Sequence, residues 1–245
     1  MVVFKAVEQL YLMLFMSALF IVGIALRKHP FFSSLRRLPC IDALEEAVDL
    51  CAERGRPFFA ACGTATFTGH PTSLVGQLHA LSFIAERSAK LNVRVVTDTS
   101  DPNVQVAVVD FVRQGYIRAG VPERFRIDDQ IYSASTAAQL DCVDVVESIH
   151  PGTVFTGIAM SPVVLDAGVR QGAFLIAFGT WPDQSSDQVT LADHLIIQAE
   201  MIAAGAYLSK DPLQTGCILG EDLAKLSLFI ALIGGMILAL AGVRI

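Results

Sequence analysis

The chain has no Cys-x-x-Cys pair, no run of clustered basic residues and no intact glycine signature for a cofactor. Each absence removes a class of function. The cysteines Cys40, Cys51, Cys62, Cys142 and Cys217 are odd in number and widely spaced, so neither a zinc site nor a redox pair is signalled. Most lie in apolar stretches, where a free cysteine behaves as a small hydrophobe. A disulfide framework is not expected, which fits a reducing compartment. Acidic residues outnumber basic ones, 24 to 18, for a formal net charge of −6. Phosphate contacts need clustered Lys and Arg, so nucleic acid is not an expected partner. His29, His70, His79, His150 and His194 form no metal-ligand spacing, and neither a metal nor a cofactor is expected. Internal repeats, low-complexity tracts and long linkers are also missing.

What the chain does have is an uncharged apolar run near each end, Leu10–Leu26 and Leu226–Val243. Each is about as long as a helix that crosses a hydrocarbon core, roughly 20 residues. The first is followed by Arg27, Lys28, His29 and Pro30 rather than by a small-residue cleavage site, so it reads as an uncleaved anchor. The second has no polar face, unlike a surface helix. The expected organisation is an N-terminal anchor over 1–28, a central domain over 29–224 and a C-terminal anchor over 225–245. Arg27, Lys28, Arg36, Arg37, Lys210 and Lys225 flank the spans on the central side, against only Lys5 and Arg244 beyond them. The positive-inside rule then gives a two-pass protein of the inner cell membrane, with a cytoplasmic domain and both termini on the far side. In the second run, Ala231, Gly235 and Ala239 recur every four residues. This puts small side chains on one helix face and allows a second helix to approach closely.

The central domain alternates short apolar runs with helical ones. Phe58–Cys62, Val93–Thr97, Gln130–Ser133, Thr153–Ala159, Ala173–Phe178 and His194–Ile197 read as strands. The clearest are nearly continuous in apolar residues, as strands covered on both faces are. Ile41, Leu44, Val48 and Cys51 share a helix face before Gly55; Leu74, Leu78, Leu81 and Ile84 share another that stops near Asn92. Asp101-Pro102 and Ser161-Pro162 read as helix starts, a capping residue followed by a first-turn proline. The expected fold is α/β, a Rossmann-like parallel sheet with helices on both faces, flanked by one transmembrane helix at each end.

Such sheets bind ligands outside the carboxyl ends of their strands. The residues to inspect there are Gly63, Thr64, Thr66, Thr68, Asp98, Asp101, Ser161, Thr180 and Glu200. The segment Cys62–Thr72 follows a strand, precedes a helix and is rich in hydroxyls and glycine, a setting in which amides can cradle an anion. It matches neither dinucleotide nor P-loop spacing, and Asp98 lies farther than about 20 residues from its glycines, where a ribose-binding acid would sit. Asp101 reads as a helix cap, Ser161 has no nucleophile elbow around it, and Glu200 is favoured by the dipole at a helix start. No catalytic constellation is present.

Four strings carry a resemblance: Gly55-Arg-Pro-Phe-Phe-Ala-Ala-Cys-Gly-Thr64, Val95-Val-Thr-Asp-Thr-Ser-Asp-Pro102, Ala203-Ala-Gly-Ala-Tyr-Leu-Ser209 and Leu219-Gly-Glu-Asp-Leu223. From about Leu38 onward the chain resembles an uncharacterised family of bacterial and archaeal membrane-anchored α/β proteins, a domain of unknown function. The resemblance implies an architecture and no reaction. That family commonly has an acid in the turn after its fourth strand, where this chain reads Gly157-Ile-Ala-Met-Ser-Pro162. It commonly has Gly-Glu-Glu before the alanine-rich string, where Gln198-Ala199-Glu200 keeps only the second acid. The expected function is therefore a non-catalytic structural or assembly protein. Its expected partners are the lipid bilayer and either copies of itself or other membrane-complex subunits. The alternative is a tethered domain that binds or acts on a nucleotide, phosphorylated metabolite or sugar at the carboxyl edge of the sheet.

Overall fold

A computed structural model describes residues 6–26, 38–63, 66–133, 138–158, 160, 162–179 and 188–240. Its contacts divide the chain into two units, Leu38–Leu208 and the two terminal segments Met1–Arg37 and Ser209–Ile245.

Leu38–Leu208 opens with helix α2 (Pro39–Arg54), the first helix, α1 (Ala6–Leu26), belonging to the other unit. Proline in its first turn suits the missing amide, and Gly55, at φ 62°, closes it in the left-handed conformation that glycine adopts without strain. Its buried residues Cys40, Ala43, Leu44, Ala47, Val48 and Cys51 follow helical spacing. Then come β1 (Phe58–Gly63), α3 (Pro71–Lys90), β2 (Val95–Thr99), α4 (Pro102–Arg118), β3 (Gln130–Tyr132), α5 (Ala138–Ile149), β4 (Thr153–Ile158), α6 (Pro162–Arg170), β5 (Phe174–Gly179), β6 (His194–Ile197) and α7 (Gln198–Leu208).

The strands form one parallel sheet in the order β3-β2-β1-β4-β5-β6. All residues of β1 and β2 are buried, because helices cover both faces. On one face, α5 and α6 pack Cys142, Val146, Val164 and Leu165 against Phe59, Ala61, Val96 and Val154. On the other, α3 packs against both α4 and α7. The expected α/β architecture and all six strand positions are present, with ends shifted by up to two residues. Helix α5 was not anticipated. Its buried stripe is narrow, with Cys142 and Val146 as its fully covered apolar residues, so it gives a weak periodic signal.

In the other unit, α1 (Ala6–Leu26) packs on α8 (Pro212–Leu240). Asp211 caps α8 by accepting the Leu213 amide at 2.9 Å. The two backbones meet through glycine. A methyl group on Gly23 would lie 2.8 Å from the Gly216 carbonyl oxygen, and one on Gly220 would lie 2.7 Å from the Phe20 Cα. Among the described residues, no helix is long and apolar enough to cross a membrane.

Candidate functional site

The order of the sheet reverses between β1 and β4, where Gly63 pairs with Ile158 at the carboxyl edge. This is the point at which sheets of this order open a crevice for ligand. The chain has an acid on the neighbouring strand, as dinucleotide-binding sheets do. Helix α3 is 20 residues long, which carries β2, and with it Asp98, farther along the sequence than the usual spacing.

That acid is buried in a hydrogen-bonded cluster. Asp98 is 1% exposed. The Ser133 hydroxyl lies 2.8 and 2.9 Å from its two oxygens and donates to the carboxylate. The Cys142 thiol donates to Oδ2 at 3.2 Å. Burial raises the Asp98 pKa above the ordinary carboxylate range, and the bonds from Cys142 and Ser133 oppose that rise. Burial, together with the nearby Asp98, also pushes the Cys62 and Cys142 thiols far up. Both shifts disfavour the thiolate, the form in which cysteine acts as a nucleophile.

Gly63, Asp98, Thr99, Ser100, Gln139, Cys142 and Met160 enclose a cavity of about 10 Å³, room for about one water. Across it, Ser100 donates to the Gly63 carbonyl at 3.3 Å. Small-molecule pockets are typically some 300–1,000 Å³. The Thr99 hydroxyl is buried and has no partner among the described residues.

The other expected site residues are dispersed into local roles. Asp101 accepts the amides of Asn103 and Val104 at 2.8 and 3.0 Å and caps α4. Thr66 accepts the Gly69 amide at 3.0 Å and lies 3.2 Å from the Thr68 hydroxyl, so both order the loop before α3. Glu200 accepts the Cys40 amide at 3.0 Å, capping α2 from the start of α7. Thr64, Ser161 and Thr180 lie outside the described residues. Of the small-residue face expected on the C-terminal helix, Ala231 is exposed in α8, and Gly235 and Ala239 belong to the same helix. Among the described residues, no group of His, Cys, Asp and Glu could hold a metal ion.

Sequence reasoning missed Gln77. It is fully buried in α3, and among the described residues both atoms of its amide lack a partner. Its side chain occupies the space left by Gly157 of β4, where a methyl group would also meet the Ala61 and Cys62 carbonyl oxygens at 2.7 Å. The signal was a glutamine on the same helix face as Leu74, Leu81 and Ile84.

A family model described as a domain of unknown function, DUF6754, matches residues 1–245. No curated protein and no solved structure matches the chain.

Proposed function

We propose that this chain, which belongs to the DUF6754 family, is a membrane-tethered assembly protein whose α/β domain carries no reaction of its own. The observation that carries the proposal is the outer surface of the α1–α8 pair. Leu12, Met13, Leu14, Phe229, Ile230 and Leu232 are each more than half exposed. An apolar surface of this extent is uncovered only where lipid or another protein meets it. No described helix is by itself long and apolar enough to cross a membrane, so the tether rests on the sequence runs Leu10–Leu26 and Leu226–Val243, each near the roughly 20 residues of a span. In this reading α1 and the apolar half of α8 are the anchors. The flanking charges put the domain in the cytoplasm and both termini across the inner membrane. The face of Ala231, Gly235 and Ala239 then serves association with a second copy or another subunit.

Carbonate extraction and native mass spectrometry in mild detergent test the two halves of this proposal. The expected result is a chain that stays with the membrane pellet and runs as an oligomer. A chain released by carbonate, or one that is monomeric at every concentration, overturns it.

A second reading, a small ligand at the carboxyl edge, draws support from the unpartnered Thr99 hydroxyl and Gln77 amide. A buried polar group without a partner is costly and rare. Thermal shift against nucleotides and sugar phosphates separates the readings. Stabilisation that is lost in Thr99→Val favours the ligand, and no response favours assembly.

A further inference from the structure

A second cavity lies at the opposite, amino edge of the sheet. It has a volume of about 300 Å³, the lower end of the range for small-molecule sites. Arg94 immediately precedes β2, and Asp129 immediately precedes β3. Between α4 and β3 the chain makes two short 3-10 turns, Pro122–Arg124 and Ile127–Asp129. These bring Arg124 and Arg126 to the same cavity as Arg94. Tyr116, 6% exposed, forms an apolar wall and is held edge-on to Phe125 with ring centroids 6.0 Å apart.

The charges do not cancel. The cavity is lined by three guanidinium groups and by the carboxylates of Glu123 and Asp129. Asp129 is almost fully buried and pairs with Arg94 at 2.6 Å, while Arg126 stands 4.0 Å from its other oxygen. Arg124 donates to the neutral carbonyl of Ala89 at 3.2 Å, which orients its plane without neutralising it. Each guanidinium has five donors in a planar fork, and those named contacts occupy few of them. A concave surface with surplus guanidinium donors suits a tetrahedral oxyanion, which can accept several bonds at once.

We propose that this amino-edge cavity is a phosphate-binding site in which Arg124 and Arg126 hold the anion, while Arg94 is fixed by Asp129. The phosphate belongs to a soluble phosphorylated small molecule or to a phospholipid headgroup, and the experiment distinguishes them. The full chain in non-ionic detergent is titrated with inorganic phosphate and pyrophosphate against sodium chloride of matched ionic strength, with melting midpoint and calorimetric affinity as readouts. The expected result is a phosphate-dependent rise in the midpoint, as mass action requires of a ligand bound to the folded state. The double substitution Arg124→Gln and Arg126→Gln leaves the Arg94–Asp129 pair intact. It should weaken affinity at least about tenfold, given the strength of charge-assisted bonds. Arg113→Gln, on α4 outside the cavity, should leave it unchanged. In lipid discs, loss of the phosphate response on adding phosphatidylglycerol identifies the headgroup as occupant, and a retained response identifies a soluble ligand. No response to phosphate or pyrophosphate, or an equal response in the double variant, overturns the proposal. If the double variant fails to fold, Arg126→Lys provides the second measurement. It keeps the charge but loses the fork, and unchanged affinity there also overturns the proposal.

Discussion

Gly76 of α3 and Gly205 of α7 meet backbone to backbone. A methyl group on Gly205 would lie 3.2 Å from the Gly76 carbonyl oxygen, and one on Gly76 would lie 2.7 Å from that of Met201. The alanine-rich string Ala203–Ser209 that marks the resemblance thus has a packing role. Its glycine lets one helix lie against another, and Ala203, Ala204 and Ala206 are buried beside it. Gly76→Ala should lower stability by about 1–3 kcal/mol, since overpacking here pushes on backbone rather than on a mobile side chain. A denaturant melt of the variant measures this, and an unchanged midpoint would show that the helices separate freely.

Asp98 should make stability depend on pH. Its pKa is raised by burial, so the folded chain keeps a proton that the unfolded chain has lost. Stability is then greatest below the ordinary carboxylate range and falls as pH rises toward the raised value. Asp98→Asn keeps an acceptor for the Ser133 hydroxyl and removes the titration. Relative to the parent, it should melt higher near about pH 7 than near about pH 4. An equal difference at both values would refute this account.

Two of the glycines of α8, Gly220 and Gly234, should behave differently. Gly220→Ile drives a branched side chain into Phe20 and should lower the melting midpoint in detergent, because close backbone approach is lost. Gly234→Ile meets nothing within 4 Å and should be nearly silent. Gly235→Ile tests the face expected from Ala231, Gly235 and Ala239 instead. If that face joins two chains, crosslinking in membranes should fall while the midpoint of the single chain holds.

Topology is tested with a membrane-impermeant thiol reagent applied to intact cells. The described native cysteines are buried or half-buried, so an added reporter is needed. Asp110→Cys, on the exposed side of α4, should stay unlabelled, whereas a cysteine appended after Ile245 should react. The reverse pattern would turn the protein over in the membrane.

Much of the sheet was legible because strands covered on both faces must be apolar throughout. Phe58–Cys62 and Thr153–Ala159 therefore stood out without any knowledge of pairing. The site was less legible, since its candidates were chosen by position at strand ends and not by what they touch. Asp98 and Ser133 were both visible as strand-end polar residues. Their mutual bond, 35 residues apart in sequence, depends on β3 lying beside β2. Glu200 illustrates the same limit. The sequence shows an acid at the start of its own helix, and the structure shows it capping another one. Gln77 was hidden because a glutamine on an apolar helix face is read as a break in the stripe.

The bond from the Cys40 amide to Glu200 spans 160 residues of sequence. A ribosome adds about 5–20 residues each second, so the first helix of the domain waits on the order of 10–30 s for the side chain that caps it. During that interval the apolar stripe of α2 has emerged and the last strand has not. A nascent chain stalled before Gln198 should therefore bind holdase chaperones, and one extended past Leu208 should release them.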